Sequence, residues 1–252
     1  MRVAVVARVL ARFLAFVLAP AALAGCGVGA IDIVDAPSPE VGLVAYWTFD
    51  DGSGTSVPDH SGNGHDGVLT GGSWITGGRS GGALYLTRGD YVTVAGFPSA
   101  TPDWTVSAFV RYAQADIGSD LATILSTEFP KTGGWEMQGP VNGETSELEF
   151  GYSRPNGLYA NLICCQIEPD QWMHLTAVVD SQRMTLTLYQ GGVVQSSESV
   201  QSLILPGNGT LHIGIEQTPT VYEWPLQGAV DEIRIYDRAL NAAEVLSLDT
   251  AP

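Results

Sequence analysis

Strict alternation of apolar and polar residues is the feature that most limits what this chain can fold into. Across 104–112, Trp104, Val106, Ala108, Val110 and Tyr112 share one side of an extended backbone, with Thr105, Ser107 and Arg111 on the other. Successive strand side chains point to opposite faces, so the segment reads as a half-buried strand of a sandwich. The alternation recurs at 42–49 through Leu43, Ala45, Trp47 and Phe49, at 172–180 through Met173, Leu175, Ala177 and Val179, and at 183–189 through Met184, Leu186 and Leu188. Shorter strands are expected at 67–69, 83–87, 91–94, 121–126, 135–138, 147–152, 158–164, 211–215 and 226–236, divided by turns such as Gly71-Gly72 and Pro140-Val141-Asn142-Gly143. A helix signal follows only near the end: Asn241 precedes Glu244 by three residues, a capping-box arrangement, ahead of Val245, Leu246 and Leu248. With 252 residues and no internal repeat, the chain is expected to hold one all-β domain closed by a short C-terminal helix.

The first residues are set aside from the fold. Arg2, Arg8 and Arg12 precede an apolar run over 13–23 that is too short to span a bilayer, the pattern of an export signal. The run ends in Leu23-Ala24-Gly25-Cys26, which resembles the lipobox of bacterial lipoproteins. That resemblance implies lipidation of Cys26 as the mature N-terminus, and Gly27, where aspartate is absent, implies outer-membrane sorting; a plain secreted protein is the alternative. The expected organisation is a signal peptide over 1–25, a lipidated cysteine and tether over 26–40 containing Pro37 and Pro39, and a domain over 41–252.

Removing 1–25 takes away three of the 11 basic residues and none of the 27 acidic ones. Phosphate binding depends on clustered Lys and Arg, so nucleic acid is excluded as a partner, while the negative field attracts divalent cations. Beyond Cys26 the cysteines are Cys164 and Cys165, adjacent in sequence and in a chain bound for a disulfide-permissive compartment. They offer a strained vicinal ring, two free thiols or an intermolecular pair, and no zinc spacing.

The span 50–67, DDGSGTSVPDHSGNGHDG, gathers Asp50, Asp51, Asp59, Asn63 and Asp66 among glycines between two strands. Calcium takes about six to eight oxygen ligands, so this is a candidate calcium loop; the same residues also build an ordinary solvated turn. An EF-hand is excluded, because Asp59-x-Ser61-x-Asn63-Gly64 reaches Thr70 where a bidentate glutamate is needed.

Several segments resemble the concanavalin A-like, laminin G-like jelly-roll family over most of 42–248: Tyr46-Trp47-Thr48-Phe49-Asp50, Asp59-His60-Ser61-Gly62-Asn63-Gly64, Gly82-Ala83-Leu84, Asp90-Tyr91-Val92, Trp172-Met173-His174 and Gly228–Leu240. The resemblance implies a two-sheet antiparallel jelly-roll sandwich whose first and last strands pair. That pairing would bring Asp231 beside Asp50 and the 59–63 loop, giving Asp50, Asp59, Asn63 and Asp231 as the implied structural calcium set.

Glucanases of this superfamily resemble Glu-x-Asp-x-x-Glu on one strand. The nearest match here, Glu144-x-Ser146-x-x-Glu149, lacks the middle carboxylate and follows an Asn142-Gly143 turn, so no catalysis is expected. No HExxH pattern is present, the one Gly-x-Ser-x-Gly match, Gly78-Arg79-Ser80-Gly81-Gly82, reads as a glycine-rich turn, and His174 is expected to be structural. Sugar binding needs aromatic faces beside polar groups, and Trp135, Tyr152, Tyr159 and Trp224, with Tyr222, Asn142, Asn156 and Asn161 nearby, are the candidates. The expected function is non-catalytic binding of glycans or glycosylated matrix outside the cell, with protein adhesion or a structural envelope role as alternatives and a glycoside hydrolase ranked below them.

Overall fold

Among the described residues, sixteen of eighteen strands form two facing antiparallel sheets, and one helix is laid on the outside. The computed structural model describes residues 39–114, 121–127, 134–139, 147–153, 159–200, 209–217 and 222–251, with Tyr159, Gln217, Tyr222 and Glu223 described by backbone alone. The signal segment, Cys26, Asn142 and Asn156 lie outside the described residues. Residues 36–252 form one compact unit.

The first sheet runs in the order β14 (Val193–Ser199), β13 (Thr185–Gln190), β12 (Met173–Asp180), β7 (Trp104–Tyr112), β18 (Gly228–Tyr236), β5 (Gly82–Leu86) and β4 (Ser73–Thr76), with β1 (Leu43–Trp47) also paired to β18. The second runs β11 (Tyr159–Gln166), β10 (Glu147–Ser153), β9 (Trp135–Gly139), β8 (Ala122–Thr127), β15 (Gly209–Ile213), β6 (Tyr91–Phe97), β3 (Gly67–Thr70) and β2 (Ser56–Val57). A short pair, β16 (Glu216–Gln217) and β17 (Tyr222–Glu223), stands apart.

The inward faces meet through a chain of aromatic rings that crosses between the sheets. Trp47 packs on Phe97 at 6.2 Å, Phe97 on Trp104 at 6.4 Å, Trp104 on Trp135 at 6.3 Å, and Trp135 stacks on Phe150 at 6.0 Å. Such ring pairs add directional preference to the area they bury. The alternating residues read from the sequence supply this core: Ala45, Trp47, Phe49, Val106, Ala108, Val110 and Tyr112 are all buried.

The expectation that β7 is only half-buried is corrected. Thr105 and Ser107, on its outer face, are fully buried as well, because the chain after β18 folds back over that face. Thr105 Oγ1 donates to the Arg238 carbonyl at 2.7 Å and accepts from Leu240 N at 3.1 Å. Beyond Leu240, helix α1 (Ala242–Thr250) starts with the anticipated capping box: Asn241 Oδ1 accepts from Glu244 N at 3.1 Å, and Glu244 Oε2 accepts from Asn241 N at 2.7 Å. The helix buries Val245 and Leu248 against Val178, Tyr189, Tyr236 and Leu240, a small second core outside the first sheet.

β14 was not legible as a strand because it is an exposed sheet edge, with Val193 and Val194 both facing solvent. The preceding Gly191 and Gly192 take φ of 57° and 72°, the conformation a two-residue hairpin turn demands. Met184, expected inward, lies in a turn before β13 at φ 54° and is exposed.

Candidate functional site

β18 changes neighbours halfway along its length. Gly228, Ala229 and Val230 pair with Leu86, Tyr85 and Leu84 of β5; then, past a bulge between Asp231 and Arg234, Ile233, Arg234 and Ile235 pair with Trp47, Tyr46 and Ala45 of β1. Two strands thus share one edge of β18, and the joint between them falls at Asp231. Bulges re-aim side chains in this way, and Glu232, at φ 50°, carries the turn.

Into that joint come Asp50, just past β1, and the 78–82 turn, just before β5. Asp50 Oδ1 accepts from Gly82 N at 2.6 Å. Asp231, fully buried, accepts at Oδ2 from Ser80 N at 3.0 Å and at Oδ1 from Glu232 N at 2.8 Å. The glycines are obligatory here: a Cβ on Gly81 would lie 2.2 Å from Asp50 Oδ1, and one on Gly78 would lie 2.6 Å from Asp231 Oδ2 and 1.7 Å from the Gly82 carbonyl. One turn therefore cradles two carboxylates. Burial, reinforced by the charge of Glu232, pushes Asp231 up to about 7 against the hydrogen bonds that favour its charged form.

Asp59 and Asn63 are tied elsewhere, to the backbone of β1. Asp59 Oδ1 accepts from Tyr46 N and Ser61 N, both at 2.9 Å, and Oδ2 from Ser61 Oγ at 2.8 Å and His65 N at 2.9 Å. A carboxylate offers about four lone-pair positions, and here each has a donor. Against the cost of partial burial, the donated bonds from His65, Tyr46 and Ser61 hold Asp59 below its ordinary range. Asn63 donates through Nδ2 to the Leu43 carbonyl at 2.9 Å and the Val44 carbonyl at 3.0 Å. Asp59 does not fit a calcium shell: it organises its loop by hydrogen bonds. Of the four implied calcium ligands, Asp50 and Asp231 are the two that the 78–82 turn holds. Among the described residues, no cluster of three or more His, Cys, Asp or Glu side chains forms a metal site.

The aromatic candidates divide in the same manner. Trp135 is fully buried and Tyr152 nearly so, both in the inter-sheet core, and neither presents a ring face to a sugar. Their alternation with Met137 and Phe150 marks them as core-facing positions of β9 and β10. Trp224 is half-buried at φ 48°, its carbonyl accepting from Thr123 N at 2.9 Å. The side chains of Tyr159 and Tyr222 lie outside the described residues, and Asn161 is exposed on β11. Trp74, absent from the sequence-derived set, is half-exposed on β4 and lines a cleft of 220 Å³ with Asp50, Gly52, Ile75, Thr76, Gly81 and Gly82. Its Nε1 donates to the Gly54 carbonyl at 2.9 Å, which holds the ring in place. Its position between Gly71-Gly72 and Gly77-Gly78 was the available signal.

The outer face of the second sheet carries a polar stretch whose middle, Ser126, His212, Glu136, Gln138 and Glu149, is buried. Thr93, His212, Ser126, Glu136, Gly151 and Asn161 form one continuous cross-strand row, with Gln138 and Glu149 beside it. Gln138 Nε2 donates to Glu136 Oε1 at 3.1 Å. Burial pushes Glu136 up to about 7, opposed by its hydrogen bond with Glu216 and helped by the charge of Glu149; burial also raises Glu149. Glu144 and Ser146 lie outside the described residues.

His174 is buried beneath α1, its Nε2 2.8 Å from Ser107 Oγ and its ring stacked on Phe109 at 4.5 Å. Cys164 and Cys165 form a vicinal disulfide. Cys165 sits at φ 57° opposite the bulge between Glu147 and Leu148, so the ring occupies an irregularity of the β10–β11 pairing.

Two facing antiparallel sheets in this strand order define a jelly-roll sandwich. Residues 86–246 match the family model Laminin_G_3, concanavalin A-like lectin/glucanases superfamily, and the chain belongs to that family. Among solved structures, it is similar to the binding domain of Paraclostridial Mosquitocidal Protein 1, with TM-score 0.68 and 21% identity over 84% of this chain and 53% of that one. Domain 4 of AbnA, a GH43 extracellular arabinanase from Geobacillus stearothermophilus solved with arabinotriose, gives 0.61 and 21% over 82% of this chain and 98% of that one. The ligand binding domain of botulinum neurotoxin serotype D, solved with N-acetylneuraminic acid, gives 0.64 and 14% over 83% and 51%. The chain thus spans about half of the two toxin chains, and at these identities the likeness is one of fold. No curated protein matches the chain.

Proposed function

We propose that this protein is a non-catalytic glycan-binding module, held outside the cell by a lipid on Cys26 and stabilised by a calcium ion at Asp50 and Asp231. The observation that carries the reading is the cleft in which Trp74 stands beside Asp50 over the bare backbone of Gly81 and Gly82. An aromatic face next to a carboxylate and open peptide groups matches the alternating apolar and hydroxylated faces of a sugar ring. Two similar folds bind sugars by their own descriptions, arabinotriose in one and N-acetylneuraminic acid in the other, which supports a glycan as the ligand class. Calcium bound by Asp50 and Asp231 would supply the positive charge that the buried Asp231 carboxylate lacks and would fix the turn that forms the cleft floor.

The test is binding of residues 36–252 to a broad glycan array with calcium and again with EDTA. Binding that is competed by free sugar and weakened by EDTA is expected. Binding to glycoproteins that free sugar does not compete would instead indicate protein adhesion, and no binding by the folded domain would favour a structural envelope role.

A further inference from the structure

A second cavity, of 650 Å³, opens where β1 meets the far half of β18 and is lined by Glu40, Leu43, Tyr46, His60, Asn63 and Arg234, among others. Its floor is a cross-strand pair, Tyr46 opposite Arg234. The Arg234 guanidinium lies 4.0 Å over the Tyr46 ring, and its Nη2 donates to Tyr46 Oη at 2.7 Å and to Glu232. Tyr46 Oη in turn donates to Glu232 Oε2 at 2.8 Å. The carboxylate of Glu232 thereby balances the guanidinium charge.

The walls add complementary groups. His60, 43% exposed, stands edge-on to Tyr46 at 6.4 Å, with its Nε2 3.8 Å from Asp51. Asn63 spends both amide protons on the carbonyls of Leu43 and Val44, which turns its Oδ1 into a fixed acceptor. Leu43 supplies an apolar patch. The loop carrying His60 and Asn63 is held by the four bonds to Asp59 described above, so the wall is formed in advance of any ligand, which lowers the entropy cost of binding.

The volume falls in the range of small-ligand sites, roughly 300–1,000 Å³. Arg234 is balanced by Glu232 and Glu40 adds a carboxylate to the lining, which opposes net anions, while donors and acceptors stand beside apolar surface. From this arrangement we infer that the β1–β18 cavity is a second binding site, separate from the Trp74 cleft, for a neutral sugar unit. The inference rests on the reading of the protein as a glycan-binding module.

The two sites are distinguished in one experiment: titration of the full chain, labelled with carbon-13, with methyl glycosides of glucose, galactose and arabinose, and in parallel with glucuronic acid and acetamide. Saturable shifts of the Tyr46 and His60 ring signals with at least one neutral glycoside, at millimolar affinity, are expected. Arg234→Met, which keeps the stem over Tyr46, and the exposed His60→Ala should each weaken that response roughly tenfold, about 1.4 kcal/mol, with Tm measured alongside. If the Trp74 and Gly81 signals move and those of Tyr46 and His60 stay still, the inference is overturned and the proposed function stands. If Tyr46 and His60 respond and Trp74 does not, the inference stands and the Trp74 assignment fails. A response only to glucuronic acid, or only to acetamide, overturns the neutral-sugar assignment.

Discussion

Four hydrogen bonds converge on the carboxylate of Asp59, and they predict a mutational signature that separates it from Asp50. Hydrogen bonds to a charged group contribute about 1.5–3 kcal/mol each net of exchange with water, so Asp59→Ala should destabilise the domain by at least about 2 kcal/mol, equally in calcium and in EDTA. Asp50→Asn should instead abolish whatever rise in Tm calcium gives, since an ion bound only by the folded state must stabilise it. A calcium-dependent loss in Asp59→Ala with none in Asp50→Asn would reverse the assignment. The buried His174 and Glu136 set opposite pH dependences. Burial, with Arg234 and Arg79 nearby, pushes His174 from 6.5 down to about 3, so the unfolded chain alone takes up a proton below 6.5 and stability is lost as pH falls. Glu136 is pushed by burial from 4.5 up to about 7, so the folded chain retains a proton that the unfolded chain has released, and that contribution is lost as pH rises from 4.5 through 7. Urea midpoints measured across this range should show a flatter acid limb for His174→Gln, part of the limb remaining with His212, and a flatter neutral limb for Glu136→Gln. Unchanged limbs in both variants would contradict these environments.

At the scale of elements, much was legible in local pattern, and the misreadings have physical causes. Trp104 through Tyr112 alternates so regularly that the strand, its bounds and its core face follow from the sequence, as does the Asn241–Glu244 cap. Asn241→Ala should cost about 1 kcal/mol, read as a lowered urea midpoint with α1 otherwise intact. What alternation could not show is what covers an outer face. Thr105 and Ser107 look solvent-facing until the chain beyond Arg238 is laid across them, and Glu136 and Gln138 look like an ordinary wet side of β9. Trp135 shows the limit for site residues, because a tryptophan beside turns reads equally well as platform or core. Its stacking on Phe150 is a cross-strand event that no single segment records. Trp135→Ala should therefore destabilise by about 3–5 kcal/mol as a core truncation, measured by denaturant unfolding, where a surface platform would give nearly none.

For the whole molecule, the decisive contact joins its two ends. β1 and β18 are far apart in sequence, yet their pairing leaves Asp231 at the joint that Asp50 and the 78–82 turn enter. The family resemblance anticipated that pairing and hence Asp50 with Asp231; it did not anticipate that the 59–63 loop would be drawn to the backbone of β1 instead. Trp74 escaped notice because its partners, Asp50 and Gly81–Gly82, meet it only in the folded sandwich. Both cavities border that closure: Arg234 of β18 lines one, and Asp50, held by the 78–82 turn that also binds Asp231, lines the other. The most direct test of the account is the affinity of the tightest glycan for the native chain and for Trp74→Ala, measured by isothermal titration with Tm recorded for each. A loss of roughly tenfold or more, about 1.4 kcal/mol, at unchanged Tm is the expected result. Equal affinity for the two proteins would show that the Trp74 cleft does not hold the glycan.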